Sequence, residues 1–237
     1  VTLIVLIASR DFGFEDPIRI LVPPLITFLP GGALTIGIIE LTTNQMMSGA
    51  SRLVSAFVQL LLLAFGIIAA TELMRVPLDV LQDNPAGTVG PWIMILAIPI
   101  YALGIMWQYC APWQCMPWIL PVLIVAYLGQ LLGTAVFGAQ ISGFFGALAM
   151  TPLVLYFDGT RRGPSKLITF LPAFWMLVPG ASGLIALVGM GGGASLGALG
   201  SVFLTIVAIA LGVLIGVAVF NSINRTTRVL ARAMPSH

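Results

Sequence analysis

The sequence predicts an all-α fold: a polytopic transmembrane helical bundle of two inverted five-span repeats, the first truncated, with a Pro-Gly-broken helix in each. Three observations carry that expectation. The chain is 59% hydrophobic, has a mean hydropathy of +1.09, and is only 8% charged, against roughly 25% in soluble domains. Apolar runs recur along it at the length of a membrane crossing, about 20 residues. The spacing of Pro23, Pro30 and Gly31 returns 149 positions later as Pro172, Pro179 and Gly180. A helix interrupted in hydrocarbon strips backbone N–H and C=O groups of partners, which is tolerated only where protein or a water-filled cavity satisfies them. Two interruptions in corresponding places point to the substrate site of a repeat-built carrier.

Taken in order, Val1 to Ala8 is an apolar run too short to cross a bilayer, and no basic n-region or cleavage site precedes it. The chain is therefore expected to begin within a span. A broken span follows from Pro17 to about Thr43, then an unbroken one from Ala50 to Ala70. The polar stretch Thr71 to Gly90 holds Glu72, Arg75, Asp79, Asp83 and the turn pair Asn84-Pro85, and it reads as the boundary between halves. Five more spans are expected: Pro91 to Tyr109, Trp118 to Gly133, Gln140 to Phe157, a second broken one from Lys166 to Met190, and Leu196 to Ser222. Pro112 and Pro117 interrupt the connection between Cys110 and Trp118. The divisions are thus residues 1–72, the C-terminal part of the first five-span repeat; 73–90, an inter-repeat loop; 91–223, the second five-span repeat; and 224–237, a cytoplasmic tail.

The repeat extends beyond the prolines. At the 149-residue offset Thr2 meets Thr151, Val5 meets Val154, Leu6 meets Leu155, and the span after the first break falls on Leu199 to Val219. A rival register of 142 residues aligns the identical hexapeptides Leu25–Pro30 and Leu167–Pro172, but it ends abruptly on both sides. The longer offset keeps span ends and both Pro-Gly steps together. Corresponding spans are five apart, so they cross in opposite directions, which defines an inverted repeat. About two spans are then expected before Val1.

Charge gives the orientation. With the C-terminus cytoplasmic, Arg225, Arg228, Arg232, Arg161, Arg162, Lys166 and Arg52 face inward, and only Arg10, Arg19 and Arg75 face outward, seven against three. A net charge of +2 spread over span ends makes no basic patch, so nucleic acid is excluded as a partner. The sole histidine is His237, no acids pair within the spans, and no serine has a base nearby, so no enzyme and no cofactor is expected. Cys110 and Cys115 lack a metal-site pattern and read as inert thiols. The run Gly189–Ala194 imitates a dinucleotide fingerprint, yet no Asp or Glu occurs after Asp158.

Glu40 is the most informative side chain. An ionisable group in an apolar span is a functional candidate by default, and desolvation disfavours its charged form, so Glu40 is the proton-coupling candidate. The competing reading pairs it with Arg52 at a cytoplasmic helix end. Helical spacing sets Ile36, Glu40 and Asn44 on one face, with Thr43 and Met47 beside them. Thr35, Asn44 and the helix end at Gly31 and Gly32 are substrate-binding candidates, since freed N–H groups favour a carboxylate. At the second break, Gly180 and Ser182 would form the opposite wall. Arg52 and Gln130 are possible pathway residues, Arg52 also reading as a span-end anchor and Gln130, like Gln140, as a bridge between helices. The pairs Gly129/Gly133, Gly193/Gly197 and Gly212/Gly216 have the spacing of close helix packing.

These residues resemble the threonine/serine exporter family. The likeness lies in Leu29-Pro30-Gly31-Gly32-Ala33-Leu34-Thr35, continuing through Glu40-Leu41 to Ser48-Gly49-Ala50-Ser51-Arg52-Leu53, and in Leu171-Pro172 with Leu177-Val178-Pro179-Gly180-Ala181-Ser182-Gly183-Leu184. Ala126-Tyr127-Leu128-Gly129-Gln130 and Phe144-Phe145-Gly146-Ala147-Leu148 add to it. The resemblance implies ten spans in two halves after a hydrophilic N-terminal region, and export of threonine and serine by proton antiport across a bacterial inner membrane. This chain would then be a fragment lacking that region and the first spans. The expected partners are the lipid bilayer, a small amino-acid substrate and protons, with a second copy or the missing N-terminal half beside it. Carriage of another small metabolite, or a scaffold that transports nothing, are the alternatives.

Overall fold

The computed structural model describes residues 2–12, 24–25, 28–42, 44–75, 93–160, 163–178, 184–186, 188 and 196–233. The elements are α1 (Thr2–Phe12), α2 (Gly31–Thr42), α3 (Met46–Met74), α4 (Ile93–Gln108), a 3₁₀ turn (Trp113–Cys115), α5 (Met116–Phe137), α6 (Ala139–Asp158), α7 (Lys166–Leu177) and α8 (Leu196–Ala233). Among the described residues the fold is all helix, as the composition predicts. Four stretches of the described residues are long and apolar enough to cross a membrane: Met46–Met74, Trp113–Phe137, Ala139–Asp158 and Gly200–Asn224.

The chain forms two compact units, Val1–Val89 with Val178–Ile206, and Gly90–Leu177 with Val207–His237. In the first, α3 buries one stripe, Gly49, Ala56, Leu60, Ala64, Ile67, Ala70 and Thr71, at helical spacing. Val5 of α1, Leu25, Leu29, Leu184 and Val188 complete that core. The opposite face of α3 exposes Val54, Phe57, Val58, Leu61, Leu62 and Phe65. In water such a face is a liability; lipid tails solvate it without cost.

The second unit is built on the α5–α6 hairpin, which turns at Gly138 with φ +88, a conformation that suits glycine alone. A side chain at Gly129 would meet the Phe145 carbonyl at 2.8 Å, and one at Gly133 the Phe145 ring at 2.8 Å, so these glycines let the helices touch. Trp118 meets Phe157 edge-on with ring centroids 5.0 Å apart, and Phe137 stacks on Phe145 at 4.9 Å. Gly212 and Gly216 of α8 play the same part against α6, where Ala147 and Thr151 occupy the space a side chain would need. The packing expected of both glycine pairs is therefore present, while Gly193 lies outside the described residues. Serine and threonine hydroxyls within helices donate to carbonyls one turn back, as Thr134 does to Gln130, Thr151 to Ala147 and Thr205 to Ser201.

Several boundaries differ from the sequence expectation. The first helix runs on to Phe12, α3 begins at Met46 and ends at Met74, and α8 continues to Ala233 where a tail was expected. Pro172 does not break its helix: it lies buried inside α7. The Tyr101 hydroxyl donates to the Pro172 carbonyl at 3.0 Å and ties that turn of α7 to α4, while the carbonyl that the missing Pro172 N–H leaves open is that of Ile168. α7 instead stops at Leu177, one residue before the position that Pro179 constrains.

Candidate functional site

The first interruption has the backbone arrangement of a helix start. Proline carries no N–H, and the residue ahead of it is pushed out of the helical region. Pro30 accepts the Leu34 N–H at 2.9 Å and so serves as the N-cap of α2, whose helix begins at Gly31. Pro30, Gly31 and Gly32 are buried. The first-turn N–H groups there have no acceptor within the helix. On the other side of the break, the Phe28 carbonyl accepts the side-chain amide of Gln59 at 2.8 Å. Gln59 was not singled out from the sequence, although it is the only polar side chain between Ser55 and Thr71.

The far end of α2 closes with a left-handed residue. Asn44 has φ +64 and is exposed. Its N–H reaches the Leu41 carbonyl at 3.2 Å, and the Gln45 N–H reaches the Glu40 carbonyl at 2.9 Å. These are the two bonds of a Schellman cap. Asn44 therefore turns the chain from α2 into α3 and does not extend the Glu40 face, contrary to the helical spacing assumed for it; Met47 lies in the first turn of α3, and Thr43 lies outside the described residues. Thr35 is fully buried, and its hydroxyl donates to the Gly31 carbonyl at 3.2 Å.

The turn lays α3 back along α2 at contact distance. A side chain at Gly37 would sit 2.9 Å from Leu53, and one at Gly49 would sit 2.8 Å from the Gly37 carbonyl. That close approach brings Glu40 and Arg52 together. Arg52 Nη2 donates to Glu40 Oε1 at 3.0 Å, Arg52 Nε to Oε2 at 3.1 Å, and the Ser48 hydroxyl to Oε2 at 2.9 Å. A fork of this kind is the strongest geometry for a guanidinium and a carboxylate. The Glu40 side chain is 16% exposed and that of Arg52 42%, so the acid lies beneath the base.

Beside this pair a cleft of about 470 Å³ runs along the two helices, lined by Ala33, Ser48, Ser51, Arg52, Ser55, Ala56 and Gln59. Ser48, Ser51, Arg52, Ser55 and Gln59 follow one face of α3, a polar stripe on an otherwise apolar helix. The sequence held the signal in that spacing, which was not singled out there. Gln130 is half-buried on α5 in the other unit. Pro23, Pro179, Gly180 and Ser182 lie outside the described residues. Leu184 and Val188, just beyond the second Pro-Gly step, share one buried cluster with Leu29 at the first. Among the described residues no three His, Cys, Asp or Glu side chains assemble into a metal site.

Comparison with known proteins gives two findings. Residues 1–74 match a family model described as "Putative threonine/serine exporter", which supports the resemblance over the stretch that contains α1, α2 and α3. The chain is also similar to a Schizosaccharomyces pombe protein described as uncharacterized, 28% identical over 206 residues, covering 81% of this chain and 24% of the relative. The chain thus spans about a quarter of the length of the curated relative it matches. No solved structure matches.

Proposed function

We propose that this chain, whose first 74 residues carry the threonine/serine exporter pattern, is the membrane part of a secondary transporter that exports small neutral amino acids by proton antiport. The observation that carries the reading is the polar cleft beside the α2–α3 contact, which runs from Ala33 in the first turn after the Pro30–Gly31 break to Ser48 and Arg52 beside Glu40. A charged pair and three serines along an apolar helix pair are costly against lipid or in dry packing, which fits a water-accessible route beside them.

In this reading the α2–α3 cleft is the substrate route. The first-turn N–H groups at Gly31 and Gly32, which have no acceptor within the helix, favour the substrate carboxylate on its way along the route, and Glu40 is the proton site at the other end. Thr35 supports the α2 start from behind, and Asn44 acts as the turn that keeps Glu40 and Arg52 in register. Gly180 and Ser182 form the facing wall, Gln130 belongs to the pathway, and the two Pro-Gly steps belong to inverted repeats. The protein sits in a bacterial inner membrane with its C-terminus cytoplasmic and the remaining transporter segments, or a second copy, beside it. No enzymatic step is assigned.

The test is uptake of labelled threonine and serine by vesicles containing the reconstituted protein under an imposed proton gradient. Uptake that follows the gradient and collapses with a protonophore supports the reading. Uptake of neither amino acid, or uptake indifferent to the gradient, rejects it.

A further inference from the structure

We propose that the Glu40–Arg52 pair is itself the recognition element for the two charged groups of an α-amino acid, which enters by inserting between the two side chains. The proposal rests on the transporter reading above and deepens it. The pair carries one negative and one positive group in direct contact at 3.0 Å. An α-amino acid carries the same two charges on one carbon in the opposite sense. When it inserts, its carboxylate takes the place of the Glu40 carboxylate on the Arg52 fork, and its ammonium takes the place of the guanidinium on Glu40. Every charge keeps a partner throughout. A simple anion would draw Arg52 away from the largely covered Glu40 carboxylate, and a simple cation would draw Glu40 away from the Arg52 fork.

The surroundings fit that exchange. Arg52 is the more exposed of the two and lines the cleft, so a carboxylate arriving from the cleft meets it first. Ser48 lines the same cleft and already donates to the Glu40 carboxylate, so it continues to hold Oε2 while Arg52 turns away. Ser51 and Ser55 follow on the same face and line the cleft with hydroxyls that a hydroxylated side chain can bond. Arg52 faces Glu40 in a direct ion pair, and Glu40 is the ionisable side chain that α2 carries. Glu72 and Arg75 are at the opposite end of α3, about 30 Å along its axis.

Exchange of protons for substrate follows from the same geometry. A proton on Glu40 removes the charge that holds the ammonium, so proton and amino acid occupy Glu40 in turn and not together. That mutual exclusion is the condition for antiport. The direct Glu40–Arg52 bond then represents the empty carrier, with each side chain acting as a placeholder for one end of the substrate.

The experiment is calorimetric titration of the purified full chain with L-threonine, L-threonine methyl ester and 3-hydroxybutyrate across a pH series. Threonine is expected to bind at least tenfold more tightly than either analogue. On the acid side its affinity should fall about tenfold per pH unit, the slope of a single competing proton. In Glu40→Gln that slope should vanish while weakened binding remains, and Arg52→Lys should keep the slope with reduced affinity. Equal binding of 3-hydroxybutyrate would show an anion site and overturn the proposal, as would equal binding of the ester, absence of threonine binding, or a pH slope that survives Glu40→Gln. If a variant fails to fold, the wild-type slope and the analogue series decide alone. Gradient-driven threonine uptake with no analogue discrimination would sink this inference and leave the transporter reading standing, whereas loss of uptake in the wild type removes both.

Discussion

The side-chain amide of Gln59 on α3 donates to the Phe28 carbonyl at 2.8 Å, closing one of the backbone vacancies that the Pro30 interruption opens. An interrupted helix survives in lipid only with such replacements. Replacing Gln59 with Leu keeps the volume and removes the donor. The expected cost is about 0.5–1.5 kcal/mol, the usual net worth of one hydrogen bond. Urea-linked unfolding in detergent, compared with Gln59→Glu and wild type, measures it. An unchanged midpoint in Gln59→Leu would mean that the break is satisfied elsewhere.

The α2–α3 contact depends on two glycines. Gly49→Ala puts a carbon 2.8 Å from both the Gly37 carbonyl and the Leu41 side chain, so it should destabilise by roughly 1–3 kcal/mol. Gly66→Ala on the same helix meets nothing within 4 Å and should stabilise by up to about 1 kcal/mol through helix propensity. Thermal unfolding of the pair of variants checks the sign of each. Equal effects would place the contact elsewhere.

The turn between these helices needs a left-handed residue. Asn44 at φ +64 occupies a region that asparagine and glycine tolerate and β-branched residues do not. Asn44→Gly is expected to be neutral or slightly stabilising, and Asn44→Val to cost about 1–2 kcal/mol. Melting temperatures in the same detergent give the comparison. Tolerance of valine would show that the turn is not held by this cap.

How much of this was legible in the sequence varied with the physics involved. The long spans were readable because hydropathy and length are properties of a whole segment, and α3, α5, α6 and α8 all lie where apolar runs of about 20 residues place them. The glycine pairs on α5 and α8 were readable because small residues one turn apart admit few other roles. Pro172 misled because a missing N–H signals a break locally, whereas the helix around it is held by packing against residues distant in sequence, Tyr101 among them, 71 residues away in the chain. Asn44 misled because helical periodicity says nothing of where a helix stops. The serine stripe went unread because its meaning lies in the company of Arg52 and Gln59 and of the α2 start, which only packing assembles. The pairing of Glu40 with Arg52 was legible as well, as the competing reading of Glu40.

The central claim is that protons and amino acid compete for the Glu40 carboxylate, and Glu40→Gln tests it most directly. Vesicles containing wild-type protein and this variant would be compared for threonine uptake driven by a proton gradient and for threonine exchange without one. The account predicts that gradient-driven uptake is lost in Glu40→Gln, while exchange persists at raised threonine concentration. Gradient-driven uptake in the variant equal to that of wild type would contradict it.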